Sequence, residues 1–471
     1  MNKRKFFKIF GIIAVVIIVA LVTPFIVGKI CLGMKILFLE KQGFPTTHQQ
    51  AEKLFNKNIP DSENAAILIE KACKEFKLPT SKTEHFLPFS HYKTKLSFMQ
   101  KLPPQTIDAI EKLTKQNSKC LKYLNESLSL SKMQLNRSYK FSDKLFNLLT
   151  ARNMARFLKD KNLLDASLNE HEKSLQNIKA MFNLGDYSGS TNSVIGSLVE
   201  IACNTMALKA TQLNLSKVNF NDKTLLEISN AIQKAEKDLK KNQKKALLAV
   251  PLCCIQMTNF KILYEVSDSL FAPLGPKKFL KPFIYYCSGI NSFDVIKVLG
   301  YTQTAIKCSG KDYYQIRTQI ERTKQNSNSL PRIFFLSKNN DYDNYFKKLN
   351  INIATLRCAQ AAIAVKRYQL AKKKPPESLS ILVPKYLEKV PTDPFNGTPI
   401  KYKIGKIDYS FTEVYPADKT GFDMKKNKVK KQWQGYKIYG IGEDLEDNGG
   451  TFGEQEDNKG KDITFTVITG K

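Results

Sequence analysis

The pattern of apolar and polar positions passes through three regimes along the chain. It opens with a charge-free apolar run, IFGIIAVVIIVALVTPFIVG at 9–28, about 20 residues long. That is the length a helix needs to cross a hydrocarbon core of about 30 Å. A juxtamembrane segment follows at 29–60. From 61 to about 77 the pattern is helical, with Asp61 or Ser62 able to cap the free amides of the first turn. Pro79, Pro88, Pro103 and Pro104 then predict a loop.

From 105 to about 249 the spacing predicts successive amphipathic helices. Ile107, Ile110, Leu113, Leu121 and Leu124 fall on one face, and Leu145, Leu148, Leu149 and Met154 begin another helix that breaks around Asp160. GDYSGSTNS reads as a loop, after which Val194, Leu198, Ile201, Cys203 and Leu208 mark a further helix. Asn221 or Asp222 caps the next. ALLAVPLCCIQMTNF, from Ala246, is free of charge for only about 15 residues and contains Pro251 and Gln256, so it predicts a buried helical segment rather than a second span. Leu349, Ile353, Leu356, Ala359 and Ile363 step by 4, 3, 3 and 4, predicting a long helix from about 345 to 373 that Pro375 and Pro376 end. The period then falls to two: IKYKI, YKIYGIG and DITFTVI alternate as strands do.

These elements predict a mainly α protein with a small C-terminal α+β domain of antiparallel strands. The expected divisions are a basic segment at 1–8, a transmembrane anchor at 9–28, a juxtamembrane segment at 29–60, a helical exterior domain at 61–340 and the α+β domain at 345–471.

Charge adds orientation. Lys3, Arg4, Lys5 and Lys8 precede the apolar run and outweigh Lys29 and Lys35 behind it, which favours a cytoplasmic N-terminus with the bulk of the chain outside the cytoplasmic membrane. A cleaved signal peptide would carry a shorter apolar core, about 7–15 residues, ending in a small-x-small site. None follows here, so the run is expected to stay as an anchor. The chain as a whole carries 74 Lys+Arg against 43 Asp+Glu, a net charge of +31. Such an excess attracts anionic polymers and lipid head groups. The basic residues are dispersed rather than gathered in a stripe, so no specific nucleic-acid interface is expected; the partners expected are the membrane, through 9–28, and an envelope protein or anionic polymer. Nine cysteines without a CxxC pair do not compose a disulfide framework.

Catalytic motifs are scarce. There is no GxSxG elbow, P-loop or dinucleotide GxGxxG, and His171-Glu172 lacks the second histidine of a zinc helix. Glu170, Glu172 and Asp186 are available carboxylates, on which an alternative reading as an extracytoplasmic hydrolase would rest. The segment GEDLEDNGGTFGEQEDNKGKD at 442–462 reverses the charge of its surroundings and places carboxylates on a glycine-rich loop. Such a loop either stays solvated or folds its oxygens around calcium.

ATLRCAQAAIAVKRYQLAKKKPPESLSILVPKYL, then VPTDPFNGTPIKY and GYKIYGIGEDLEDNGG, resemble the C-terminal part of the major pseudopilins of type II secretion. Tyr368, Pro376, Pro391, Asp393, Pro394, Phe395, Tyr402, Tyr439, Gly442, Asp444, Gly449, Gly450, Asp462 and Ile463 stand in the family's order, over roughly the last quarter of the chain. The layout, with ENAA at 63–66, is also similar to membrane-anchored envelope proteins of planctomycete-like bacteria. The pseudopilin resemblance implies a pilin-like helix-plus-sheet domain with calcium in its last loop. Asp444 and Asp462 carry over as metal ligands; Asp447 and Asp457 join them by charge and proximity. The chain departs from the family at its start, where no processing glycine leads into the pilin helix, and at Leu445, which replaces a glycine. Polymerisation is therefore not expected. The reading that follows is a single-pass envelope protein in a binding or scaffolding role, with no catalytic residue assigned.

Overall fold

The computed structural model describes residues 3–80, 87, 102–140, 147–265, 280–328, 342–416, 424–450 and 462–469. The chain is mainly helical. In order, the elements are α1 (Lys3–Lys41), α2 (His48–Phe55), α3 (Ala65–Glu75), α4 (Pro104–Gln116), α5 (Ser118–Ser127), α6 (Leu148–Ser167), α7 (His171–Gly189), α8 (Val194–Lys217) and α9 (Asp222–Gln256). Then come α10 (Phe260–Glu265), α11 (Leu280–Cys287), α12 (Ile290–Cys308), α13 (Tyr313–Asn328), α14 (Tyr342–Lys372), and β1 (Lys401–Pro416), β2 (Met424–Gly440) and β3 (Ile463–Ile468).

The apolar run at 9–28 lies on α1, but the helix does not stop there. It continues to Lys41, so the anchor and much of the expected juxtamembrane segment are one rod. Among the described residues one stretch, Val22–Lys41, is long and apolar enough to cross a membrane. One face of α1 exposes Ile12, Val15, Val16, Val19, Val22 and Ile26. Further along, Leu32 and Leu39 are buried with Val295, Val298 and Leu299 of α12. The two rods meet at glycines: a Cβ on Gly28 would stand 3.1 Å from the Gly289 carbonyl, and one on Gly289 would stand 2.6 Å from that of Pro24.

Local signals set several helix starts. Ser193 caps α8 by accepting from the Gly196 amide at 3.0 Å, and Asn221 caps α9 by accepting from Thr224 at 2.8 Å. Two expected breaks are absent. α6 runs through Asp160, which is buried. α7 runs through the GDYSG segment to Gly189, leaving only 190–193 as a turn. α9 likewise passes through Pro251, whose neighbours Leu247, Leu252 and Cys254 are all buried. Tertiary packing overrides the local preferences in each case.

α14 is the axis of the molecule. Leu349, Ile353, Leu356, Ala359 and Ile363, the predicted stripe, are completely buried. One side of the helix packs on α8 and α9 and the other on β2 and β3. The sheet is antiparallel in the order β1-β2-β3, with Lys401 opposite Tyr439 and Gly440 opposite Ile463. Tyr436 and Phe465 point into the core, and the Tyr436 hydroxyl donates to the Ala362 carbonyl at 3.0 Å. The largest apolar cluster joins residues from Ala66 to Val467. The sheet is thus continuous with the helical unit, and 61–340 and 345–471 share one interior.

The junction VPTDPFNGTPIKY is a tight turn closed by Thr392 pairing with Pro399. Asp393, 1% exposed, sits at its centre. Its amide donates to the Thr398 carbonyl at 2.8 Å, while its carboxylate accepts from Phe395 N at 2.9 Å and from Ile441 N at 2.7 Å. One side chain therefore ties the turn to the end of β2. Arg357 of α14 donates to the Thr392 carbonyl at 2.9 Å and pairs with Asp312 and Glu236, joining the turn to α9 and the start of α13.

Candidate functional site

The acidic C-terminal loop is held by its own amides and by lysines from the sheet. Gly449 and Gly450, at φ 72° and 69°, supply the left-handed turn. Asp462 is buried and accepts from Asn448 N at 3.3 Å and Gly450 N at 2.6 Å. Partial burial pushes its pKa up, helped by the neighbouring charges of Asp447 and Asp444 and opposed by those two amides. Asp447 accepts from Gly449 N at 2.9 Å and is paired with Lys401, whose hydrogen bond holds its pKa below the ordinary value. Asp444 accepts from Glu446 N at 3.2 Å and the Asn448 amide at 3.4 Å. Lys403 and Lys437 donate to the carbonyls of Gly449 and Gly450.

Of the four expected ligands, Asp457 lies outside the described residues. The other three lie on the described part of the loop, each accepting from an amide, with Asp447 also paired to Lys401. Among the described residues, no three His, Cys, Asp or Glu stand together as a metal site.

A different constellation forms in the helical unit. Where α7, α8 and α9 meet the turn after α5, a cavity of about 360 Å³ is lined by Phe182 and Asp186 of α7, Glu200 and Asn204 of α8, and Lys234 and Asp238 of α9. Glu200 and Asn204 are one helical turn apart and each is only 1% exposed. Opposite them on α7 stand Gly185 and Gly189, also one turn apart. A Cβ on Gly185 would lie 2.7 Å from the Asn204 Oδ1, and one on Gly189 would lie 2.0 Å from the Glu200 Oε2. The glycines that suggest a loop in the sequence are helical residues that make room for two polar side chains.

Asn242 connects the carboxyl groups. Its Nδ2 donates to Glu200 Oε1 at 3.1 Å and to Asp186 Oδ1 at 3.3 Å. Lys234 donates to Asp186 at 3.0 Å and to Asp238 at 2.6 Å. Burial, reinforced by the charge of Asp186, drives the Glu200 pKa well above the usual carboxyl range against the opposing bond from Asn242. Burial also raises Asp238, again with Asp186 adding to it. For Lys234, burial disfavours the charge, but Asp186 and Asp238 outweigh it and its pKa rises. Glu200 Oε2 and Asn204 Nδ2 have no hydrogen-bond partner.

Of the carboxylates available from the sequence, Asp186 belongs to this cavity. Glu170 instead flanks the start of α7 and pairs with Lys173 at 3.2 Å, and Glu172 is exposed in the first turn. Glu200 and Asn204 are not singled out by any motif. The available signal is that Gly196, Glu200, Cys203 and Ala207 step by 4, 3 and 4, which places a lone acid on the buried stripe of α8. No known protein family, curated protein or solved structure matches this chain.

Proposed function

We propose that this chain is a single-pass, membrane-anchored protein of the cell envelope whose helical unit binds a small polar ligand, the C-terminal sheet serving as its scaffold. The observation that carries the reading is the α7–α8–α9 cavity of about 360 Å³, where Asp186, Lys234 and Asp238 line the wall beside Phe182 and Ala231. Its size and its mix of apolar wall with a few polar groups are those of small-ligand sites. A filament role is disfavoured because α14, the helix that resembles a pilin's, packs on α8, α9 and the sheet and buries its apolar stripe there.

Ligand-observed NMR with a fragment library on the full chain in nanodiscs tests the role. Fragments should bind, and Ala231→Trp, which fills the cavity from α9, should abolish their binding. A library with no fragment displaced by that substitution would end the reading. The orientation rests on the four basic residues ahead of the apolar run. Protease added to intact spheroplasts should therefore remove a C-terminal epitope tag, and a protected tag would reverse the topology.

A hydrolytic reading has one observation in its favour: Glu200 and Asp186 share Asn242, and burial drives the Glu200 pKa well above the ordinary carboxyl range. Such a pair can divide acid and base roles. It would require a turnover that Glu200→Gln eliminates while ligand binding persists.

A further inference from the structure

We infer that α10, α11 and the first turn of α12 form an aromatic collar seated in the interfacial layer of the bilayer that α1 crosses, with phospholipid against Tyr264, Phe283 and Phe293. This rests on the membrane-anchored reading above and adds a second membrane contact, one that does not span.

The level of the collar along α1 points to the bilayer. The charge-free run begins at Ile9, and Phe25 stands about 24 Å further along the axis at the rise of an α-helix. A hydrocarbon core of about 30 Å that starts at Ile9 therefore ends about 6 Å beyond Phe25. Tilting the rod only sinks Phe25 deeper. Yet the folded body already touches α1 there: a Cβ on Gly289 would stand 2.6 Å from the Pro24 carbonyl and 2.7 Å from the Phe25 Cα. Tyr286 of α11 lies against Phe25, with ring centroids 5.7 Å apart. α11 thus reaches the bilayer. At 8 residues it is too short to span one.

The charges on α1 agree with that placement. Between Lys8 and Glu40 they are Lys29 and Lys35. Both turn toward the body: Lys29 donates to the Thr258 carbonyl at 3.4 Å and stands 5.0 Å over the Tyr286 ring, and Lys35 donates to Gln303 of α12. On the face opposite α12, Ile12, Val16, Val19, Ile26, Ile30 and Leu37 are all exposed. That apolar face is about 38 Å long, close to the depth of a bilayer with its headgroup layers.

The collar has the chemistry of an interface. Phe260 of α10 packs on Tyr286 and Phe283 of α11, with ring centroids 5.4 and 6.2 Å away. The Tyr285 hydroxyl donates to Asp294 at 2.7 Å, tying α11 to α12. Tyr264, Phe283 and Phe293 remain exposed. Rings with a polar edge gather at the headgroup level, where one end is apolar and the other wet. A second copy of the chain is the competing cover. Helices that meet within a bilayer do so at small residues. Gly28 and Gly289 already make the contact between α1 and α12, and the exposed positions of the collar are aromatic. Lipid fits them better.

The test places single tryptophans in the full chain, in a Trp433→Phe background and in phosphatidylcholine nanodiscs. Phe283→Trp and Phe293→Trp report on the collar, Val19→Trp on the middle of the span and Leu168→Trp on the body. Bromine on a lipid chain quenches tryptophan on contact, and iodide quenches it from water. Both collar tryptophans should lose more emission to lipid brominated near the glycerol than to lipid brominated near the chain ends. Val19→Trp should show the reverse, and Leu168→Trp should respond to iodide alone. Collar tryptophans that behave like Leu168→Trp would overturn the collar and leave the anchor standing. So would collar tryptophans shielded from both quenchers, the result a second copy would give. If Val19→Trp ignores brominated lipid, the anchor reading falls and the collar with it. The unsubstituted chain guards against a misfolded variant: a phospholipid with a diazirine near its glycerol should label peptides from 260–264 and 283–293 on irradiation. Labelling confined to α1 would overturn the collar.

Discussion

Asp393→Ala is expected to destabilise the folded chain by about 3 kcal/mol or more, and to loosen the sheet from α14 before the rest unfolds. The carboxylate is the acceptor for two buried amides, Phe395 N and Ile441 N, which lie on opposite sides of the turn. Alanine leaves both without a partner, and each buried, unsatisfied amide costs about 1–3 kcal/mol. The packing leaves little room for water to replace it: a Cβ on Gly440 would already be 2.8 Å from the Asp393 carboxyl carbon. Asp393→Asn should cost less, because its oxygen can still serve one amide while its nitrogen opposes the other. Urea melts of the three proteins, followed by the lone Trp433 on β2, would measure the order. A cost below about 1 kcal/mol for alanine would mean that the two amides find other acceptors and that Asp393 is not the latch.

The same residue shows what the sequence makes legible. Asp393 and Asn396 read as turn formers because aspartate and asparagine bond to amides two residues on, and they do: Asn396 Oδ1 accepts from Thr398 N at 2.9 Å. The switch from a 3.6-residue to a two-residue period is equally local: the helix Tyr342–Lys372 and β3 lie where it places them, while β1 and β2 contain the expected strands but extend to Pro416 and back to Met424. What escapes is whatever depends on a partner distant in sequence. The bond from Asp393 to Ile441 spans 48 residues. The charge balance of the acidic loop depends on Lys401, Lys403 and Lys437, which approach it only through the register of β1 and β2. Composition alone therefore counts the loop's carboxylates but not the ammonium groups that meet them. Gly185 and Gly189 mislead for the same reason. Glycine lowers helix propensity by about 1 kcal/mol relative to alanine, a local preference for a loop. Here the preference yields to Glu200 and Asn204, which need the space on the neighbouring helix.

That exchange of propensity for space makes Gly189→Ala the sharper test of the cavity. Alanine is the better helix former, so on α7 alone the substitution should stabilise by about 1 kcal/mol. In the folded chain the new methyl would stand 2.0 Å from Glu200 Oε2 and 2.5 Å from Asn242 Nδ2, far inside contact distance. Both neighbours are buried, and Asn242 also binds Asp186, so moving them breaks the bridge between the two carboxyl groups. Over-packing costs about 1–3 kcal/mol and each bond lost adds about 1 kcal/mol, so a net destabilisation of about 3 kcal/mol is expected. The cause can be isolated by a double-mutant cycle. In a Glu200→Ala background the tightest contact is gone and Asn242 is freed of one of its two bonds, so Gly189→Ala should cost much less, giving a coupling energy of about 2 kcal/mol between the two sites. Chemical denaturation of the four proteins supplies the cycle. Additive effects would show that Gly189 does not make room for Glu200. The buried acid would then lose its structural explanation, and with it the geometric basis for reading the cavity as built.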